Sequence, residues 1–123
     1  MATLTEGRET AAYILSEASG MRSRDQAKIA SGAGKVAPGT ILGKVTATGK
    51  YVPHAPAAND GSQTAVAILY SAIDATGADA PCVVTARDSE VKKDELTYNA
   101  ATDTQAEKDA VHASLAANGI IVR

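Results

Sequence analysis

Between Ile41 and Ala47 the chain alternates, with Ile41, Val45 and Ala47 set between Leu42, Lys44 and Thr46. A period of two sends successive side chains to opposite faces, so this stretch predicts a strand. Thr48-Gly49 supplies a residue free to take positive φ, and Tyr51-Val52 resumes the apolar pattern before Pro53 removes a ladder donor, which together predict a hairpin. After a polar, proline-broken excursion through His54, Pro56 and Asn59-Asp60-Gly61, the run Ala65 to Tyr70 is apolar on both faces, as a central strand covered on both sides would be. Pro38 to Asp74, opened by Gly39, therefore reads as a small β-core around which the rest of the chain is arranged.

Downstream, Asp74 to Asp79 is dense in turn formers, and Cys82-Val83-Val84-Thr85 resumes strand character. Arg87 to Glu95 is highly charged, interrupted by Val91, and is expected to be a solvent-facing strand or loop whose charges block unwanted edge pairing. One helix is predicted. Thr104-Gln105-Ala106-Glu107 fits a capping box, Ala106, Ala110, Ala113 and Ala117 recur along one face flanked by Val111 and Leu115, and Asn118-Gly119 stops it. Ile120-Ile121-Val122 reads as a last short strand. Upstream, residues 1 to about 12 are polar and small, with nothing to offset an ordering cost of ~1–2 kcal/mol per residue, and are expected to form a mobile arm. Tyr13-Ile14-Leu15 is the first apolar cluster, Ser16 to Gly20 is turn-like, and Lys28-Ile29-Ala30 leads into the Gly-rich Ser31 to Gly34.

Composition adds a constraint on stability. At 123 residues the chain suits one domain, and its 45% apolar content is Ala, Val, Ile and Leu, with four Tyr and no Phe or Trp. Small side chains bury little area at ~25 cal/mol per Å², so burial in an oligomer would help. A formal charge of −2 with interspersed signs offers no basic stripe for phosphates, so no nucleic-acid partner is expected. No run of eighteen apolar residues could cross a bilayer, and the N-terminus lacks the pattern of a signal peptide, so no membrane partner is expected and synthesis in a cytosol is. The single cysteine, Cys82, rules out an internal disulfide and is expected to be a buried thiol.

Catalytic and ligand-binding patterns are incomplete. Gly32-Ala33-Gly34-Lys35 lacks the glycine spacing of a phosphate loop, and Val36 stands where a hydroxyl would hold magnesium. Asp74, Thr76 and Asp79 are too few oxygen donors for a calcium loop and read as a tight turn. His54, Cys82 and His112 fall in three separate elements without zinc spacing, so no metal and no cofactor is expected. The pairs Asp88 with Glu90 and Asp94 with Glu95 lack apolar surroundings to raise a pKa. Arg22 and Arg24 read either as solvated charges or as a docking contact for an acidic surface. The residues alone thus describe a small, soluble, mostly β domain with one short α-helix near the C-terminus and a flexible N-terminal arm.

The succession PGTILGKVTATGKY, NDGSQTAVAIL and an Asp-Ala turn, preceded by SEASGMRSRD and IASGAGKVAPGT and followed by a short helix and NGIIVR, resembles the head decoration proteins of lambda-like phages, the protein D type. The resemblance implies a β-clip-like fold and no enzymatic activity. It also implies a homotrimer on the outer surface of the expanded head, at three-fold positions, cementing the major capsid protein against internal DNA pressure. On this chain it would divide residues 1–30, a capsid-binding arm with Tyr13, Ile14, Leu15, Arg22 and Arg24 as contacts, from residues 31–123, a β-rich decoration domain. An entry segment longer and more charged than in the shortest members is a departure from the family pattern. The competing reading is a small trimeric β-clip enzyme acting on a nucleotide, which would need a catalytic Asp at a turn and a phosphate-binding Ser or Arg that do not assemble here. A secreted surface or fibre module is a third, disfavoured by the missing signal sequence.

Overall fold

The computed structural model describes residues 8–123. It is mostly β with one helix. Strands β1 (Ile14–Glu17), β2 (Arg24–Ile29), β3 (Gly34–Val36), β4 (Ile41–Lys44), β5 (Tyr51–Pro53), β6 (Ala65–Leu69), β7 (Ile73–Ala75), β8 (Ala80–Thr85) and β9 (Ser89–Val91) precede helix α1 (Gln105–Ala117) and strand β10 (Ile120–Val122). Five of the strands close a barrel in the order β2-β5-β4-β6-β8. Beside it lie a three-stranded sheet, β1-β9-β10, and a two-stranded ribbon, β3-β7.

The hairpin expected around Thr48-Gly49 joins β4 and β5, which pair antiparallel from Leu42↔Pro53 to Lys44↔Tyr51. Its first strand is shorter than the alternation predicts. Val45 N–H donates to Lys50 O (2.9 Å), Gly49 N–H to Val45 O (2.8 Å) and Thr46 N–H to Asp60 O (2.9 Å), so residues 45–47 belong to the turn rather than to the ladder. In the middle of β4, Gly43 sits where a β-carbon would lie 2.4 Å from Ser62 O, and the ladder to β6 shifts register there. Only a residue without a side chain lets the 62 backbone cross at that distance.

β6 is central, between β4 and β8. Its two-faced apolar run serves two cores at once. Ile41 and Ile68 face a cluster with Tyr13, Val91, Leu96, Val111, Leu115 and Ile120, between the barrel wall and the helix. Leu42, Ala67 and Leu69 face a second cluster with Ile29, Val36, Cys82 and Val84.

Two expectations need correction. The charged segment 87–95 does not face solvent as an edge: β9 is the middle strand of its sheet, antiparallel to β1 and parallel to β10, with Ser89 and Val91 buried. A three-residue strand needs only two inward side chains, and the charges that dominate the composition flank it or, at Glu90, point outward. The helix packs not through its alanine stripe but through Val111 and Leu115, and Ala106, Ala110, Ala113 and Ala117 are exposed. Branched side chains reach the barrel wall where alanine would leave a gap. The cap forms as expected, with Glu107 N–H donating to Thr104 Oγ1 at 3.2 Å, while the Glu107 carboxylate reaches back to Asp103 N–H at 3.3 Å, one residue before the cap.

Within the segment expected to be an arm, residues 1–7 lie outside the described residues. Tyr13 onward is built into the body: all six residues of β2 pair with β8, from Arg24↔Thr85 to Ile29↔Ala80.

Candidate functional site

The residues singled out as contacts fall into two groups. Tyr13 is 1% exposed and belongs to the first core, and its hydroxyl shares a 2.6 Å hydrogen bond with Thr85 Oγ1. Burial pushes the phenol pKa far above its ordinary value. Arg24 is committed as well. Its guanidinium lies 4.3 Å from the centroid of the Tyr70 ring and donates through Nη2 to Glu17 Oε1 and through Nε to Glu17 Oε2 at 3.3 Å. Ser23 Oγ adds a 2.6 Å bond to Glu17 Oε2. Burial works to raise the Glu17 pKa, but the hydrogen bonds from Ser23 and Arg24 outweigh it and hold the carboxyl below the usual range. Tyr13, Glu17, Ser23, Arg24, Tyr70 and Thr85 thus form a clamp that fixes β1 to the barrel.

Ile14, Leu15 and Arg22 lie nearer the surface. Ile14 is half-buried against the first core, whereas Leu15, at an irregularity in the β1 ladder, is 48% exposed. Arg22 is exposed and stands 3.8 Å from Asp88. An isolated exposed pair of this kind contributes ~0–1 kcal/mol, so the guanidinium is free to change partner at little cost.

The ladder registers add residues that sequence reasoning did not single out as contacts. Ser16, Glu90 and Ile121 lie abreast on three adjacent strands, and Glu90 accepts from Ser16 Oγ at 3.3 Å and from Arg123 Nη2 at 3.1 Å. Ile121 is 39% exposed, and Met21, in the turn before β2, is 67% exposed. With Leu15 these are the exposed large hydrophobic side chains among the described residues. The alternation within Ile120-Ile121-Val122 carries a signal for Ile121, since a strand with Ile120 inward must turn Ile121 outward. Glu90 and Met21 gave none. β1 and β10 are the two edges of this sheet, so each presents one side of its backbone to a further strand.

The remaining chemical candidates are engaged in the fold. His54 is buried with Nε2 at 2.9 Å from Gln63 O, and His112 Nε2 shares a 2.5 Å hydrogen bond with the Tyr98 hydroxyl, its pKa lowered by burial. Cys82 lies in the second core, where burial raises the thiol pKa. Asp74 accepts from Thr76 N–H at 3.0 Å, and Asp79 accepts from Ser31 N–H at 2.9 Å and pairs with Lys50 at 2.6 Å. Among the described residues no three His, Cys, Asp or Glu side chains converge as a metal site would require, and no helix is long and apolar enough to cross a membrane.

A family model of the bacteriophage lambda head decoration protein D matches residues 3–120, nearly the whole chain. The chain belongs to that family. No curated protein matches it. Membership of the decoration-protein family makes the chain a structural component of a phage virion, associated with the capsid of the head. It also accounts for the order of motifs along the chain.

Proposed function

We propose that this chain cements an expanded phage head from outside, binding as a homotrimer at the three-fold positions of the capsid after synthesis in the host cytoplasm. The segment preceding Tyr13 attaches to the major capsid protein, and the exposed face of the β1-β9-β10 sheet lies against it. No catalytic step, cofactor, metal, nucleic acid or membrane enters this role.

The observation that carries the reading is the edge position of β1. The N-terminal segment runs into an edge strand whose Leu15 is exposed, and the Glu17–Ser23–Arg24 clamp ties that strand to the body. A segment continuous with a sheet edge is suited to add a strand to a partner's sheet, where main-chain hydrogen bonds supply affinity and alternate side chains supply specificity. Tyr13 and Arg24, being committed to the body, support attachment by fixing β1 rather than by touching the capsid. Leu15 and Arg22 are the residues of the original set available to touch it.

Each new backbone hydrogen bond returns only ~0.5–1.5 kcal/mol, so one attachment segment is a weak binder on its own. Three segments on one trimer act at high effective concentration after the first docks, so avidity exceeds the single affinity by ~10²–10⁴. The test is co-sedimentation with expanded heads of the phage that carries this chain, assembled without it. Full-length protein is expected to pellet with the heads, and a chain lacking residues 2–7 to remain in the supernatant while keeping its melting temperature. Full occupancy by the truncated chain would transfer the attachment to the sheet face alone.

A further inference from the structure

We propose that Arg8 is a latch that fixes where the N-terminal attachment segment leaves the body, and so acts as a positioning residue for head binding. The inference rests on the reading that this segment attaches to the capsid.

Arg8 Nη1 donates to Glu95 O at 2.6 Å and to Thr97 Oγ1 at 2.7 Å, reaching across 87 and 89 residues of sequence. A charged donor bonded to two acceptors is among the stronger non-covalent ties a surface residue can make. Its seat is built for close approach. Gly39 has φ +87°, and a β-carbon there would lie 2.5 Å from Glu95 O and 3.6 Å from Arg8 Nη1, so glycine leaves the carbonyl and the guanidinium their place. The seat is also firm: Thr97 N–H donates to Gly39 O and Gly39 N–H to Leu69 O, both at 2.9 Å, which ties it to the barrel through β6.

The chain between the latch and Tyr13 is shaped as well. Ala11 takes φ +61°, a conformation alanine keeps only where its surroundings hold it. Ala11 N–H donates to Tyr70 O at 3.0 Å and Ile14 N–H to Ala11 O at 3.1 Å. Residues 8–13 therefore form a turn pinned at both ends, by Arg8 on the 95–97 strap and by Tyr13 in the core. Residues 8–12 are thus already ordered before any docking. Pinning that turn in the free protein raises the fraction of molecules competent to dock, and apparent affinity rises in proportion.

Two measurements test this. Trypsin cleaves after Arg8, and cleavage requires the latch to open, so its rate reports the open population when closing is fast. Thr97→Val removes one acceptor from an exposed position; cleavage after Arg8 is expected to quicken roughly threefold or more, with Thr97→Ser restoring the slow rate. Arg8→Ala is expected to weaken head binding roughly 3- to 10-fold, measured at a temperature well below its melting transition so that the body is fully folded. Unchanged cleavage in Thr97→Val would overturn the latch. So would unaltered or tighter head binding by Arg8→Ala, since tighter binding would mean that the contact restrains the segment instead of aiming it. If deleting residues 2–7 leaves head binding intact, the attachment reading fails; if that deletion abolishes binding and Arg8→Ala does not weaken it, only the latch fails.

Discussion

Replacing Tyr13 by Phe removes one oxygen from the interior and leaves Thr85 Oγ1, fully buried, without the 2.6 Å partner it has in the native protein. A buried hydroxyl stripped of its partner costs ~1–3 kcal/mol, whereas replacing both partners by apolar groups of the same shape is close to neutral. Tyr13→Phe and Thr85→Val are therefore each expected to destabilise by about 1–3 kcal/mol, and the double variant by clearly less than their sum. The coupling is expected at ~1–2 kcal/mol, within the range for residues in direct contact. For a chain of this length 1 kcal/mol corresponds to roughly 3–6 °C in melting temperature. The assay is urea unfolding of the four proteins at one protomer concentration, because association would otherwise shift the midpoints. Head binding by Tyr13→Phe is expected to be unchanged at temperatures where it is folded. Additive losses would refute the paired hydroxyls, and lost head binding in a folded Tyr13→Phe would place Tyr13 at the capsid rather than in the core.

Gly43→Ala puts a methyl group 2.4 Å from Ser62 O, a main-chain atom that cannot swing aside, and is expected to cost more than about 2 kcal/mol in thermal melting. Glu17 has a folded pKa held below its ordinary 4.5, so its stabilisation is fully present above that value and is lost as pH falls through the folded pKa. Glu17→Gln is accordingly expected to be less stable than the parent near neutrality and to narrow the gap between them below pH 4.5, as followed by urea midpoints across pH.

The parts of the fold that alternate or cap strongly were legible in the sequence. The β4–β5 hairpin, the doubly covered β6 and the start and stop of α1 follow from period, turn chemistry and capping residues. What escaped is what only the tertiary arrangement decides. β9 is three residues long, too short for period to speak, and its central place comes from β1 and β10, which lie more than 25 residues away on either side. The alanine stripe and the Val111-Leu115 face share the same helical spacing, so the sequence pattern could not choose which one meets the barrel. Tyr13 opens the first apolar cluster after a polar, small stretch and so reads as part of the arm, yet its partner Thr85 lies 72 residues on. Of the candidate site, Leu15 and Arg22 were singled out from local pattern, Glu90 and Ile121 are set abreast of Ser16 only by the register of the sheet, and Met21 stands out only by its exposure.

The central claim, attachment from outside at the three-fold positions through the N-terminal segment, is tested most directly by cryo-electron microscopy. Expanded heads of the phage that carries this chain, assembled without it, would be incubated with the full-length protein and reconstructed. The account requires a trimeric density on the outer face of every three-fold position, with the β1-β9-β10 sheet turned inward and the chain continuous from Arg8 into the capsid surface. Bare heads, density away from the three-fold positions, or an N-terminal segment pointing to solvent would contradict it.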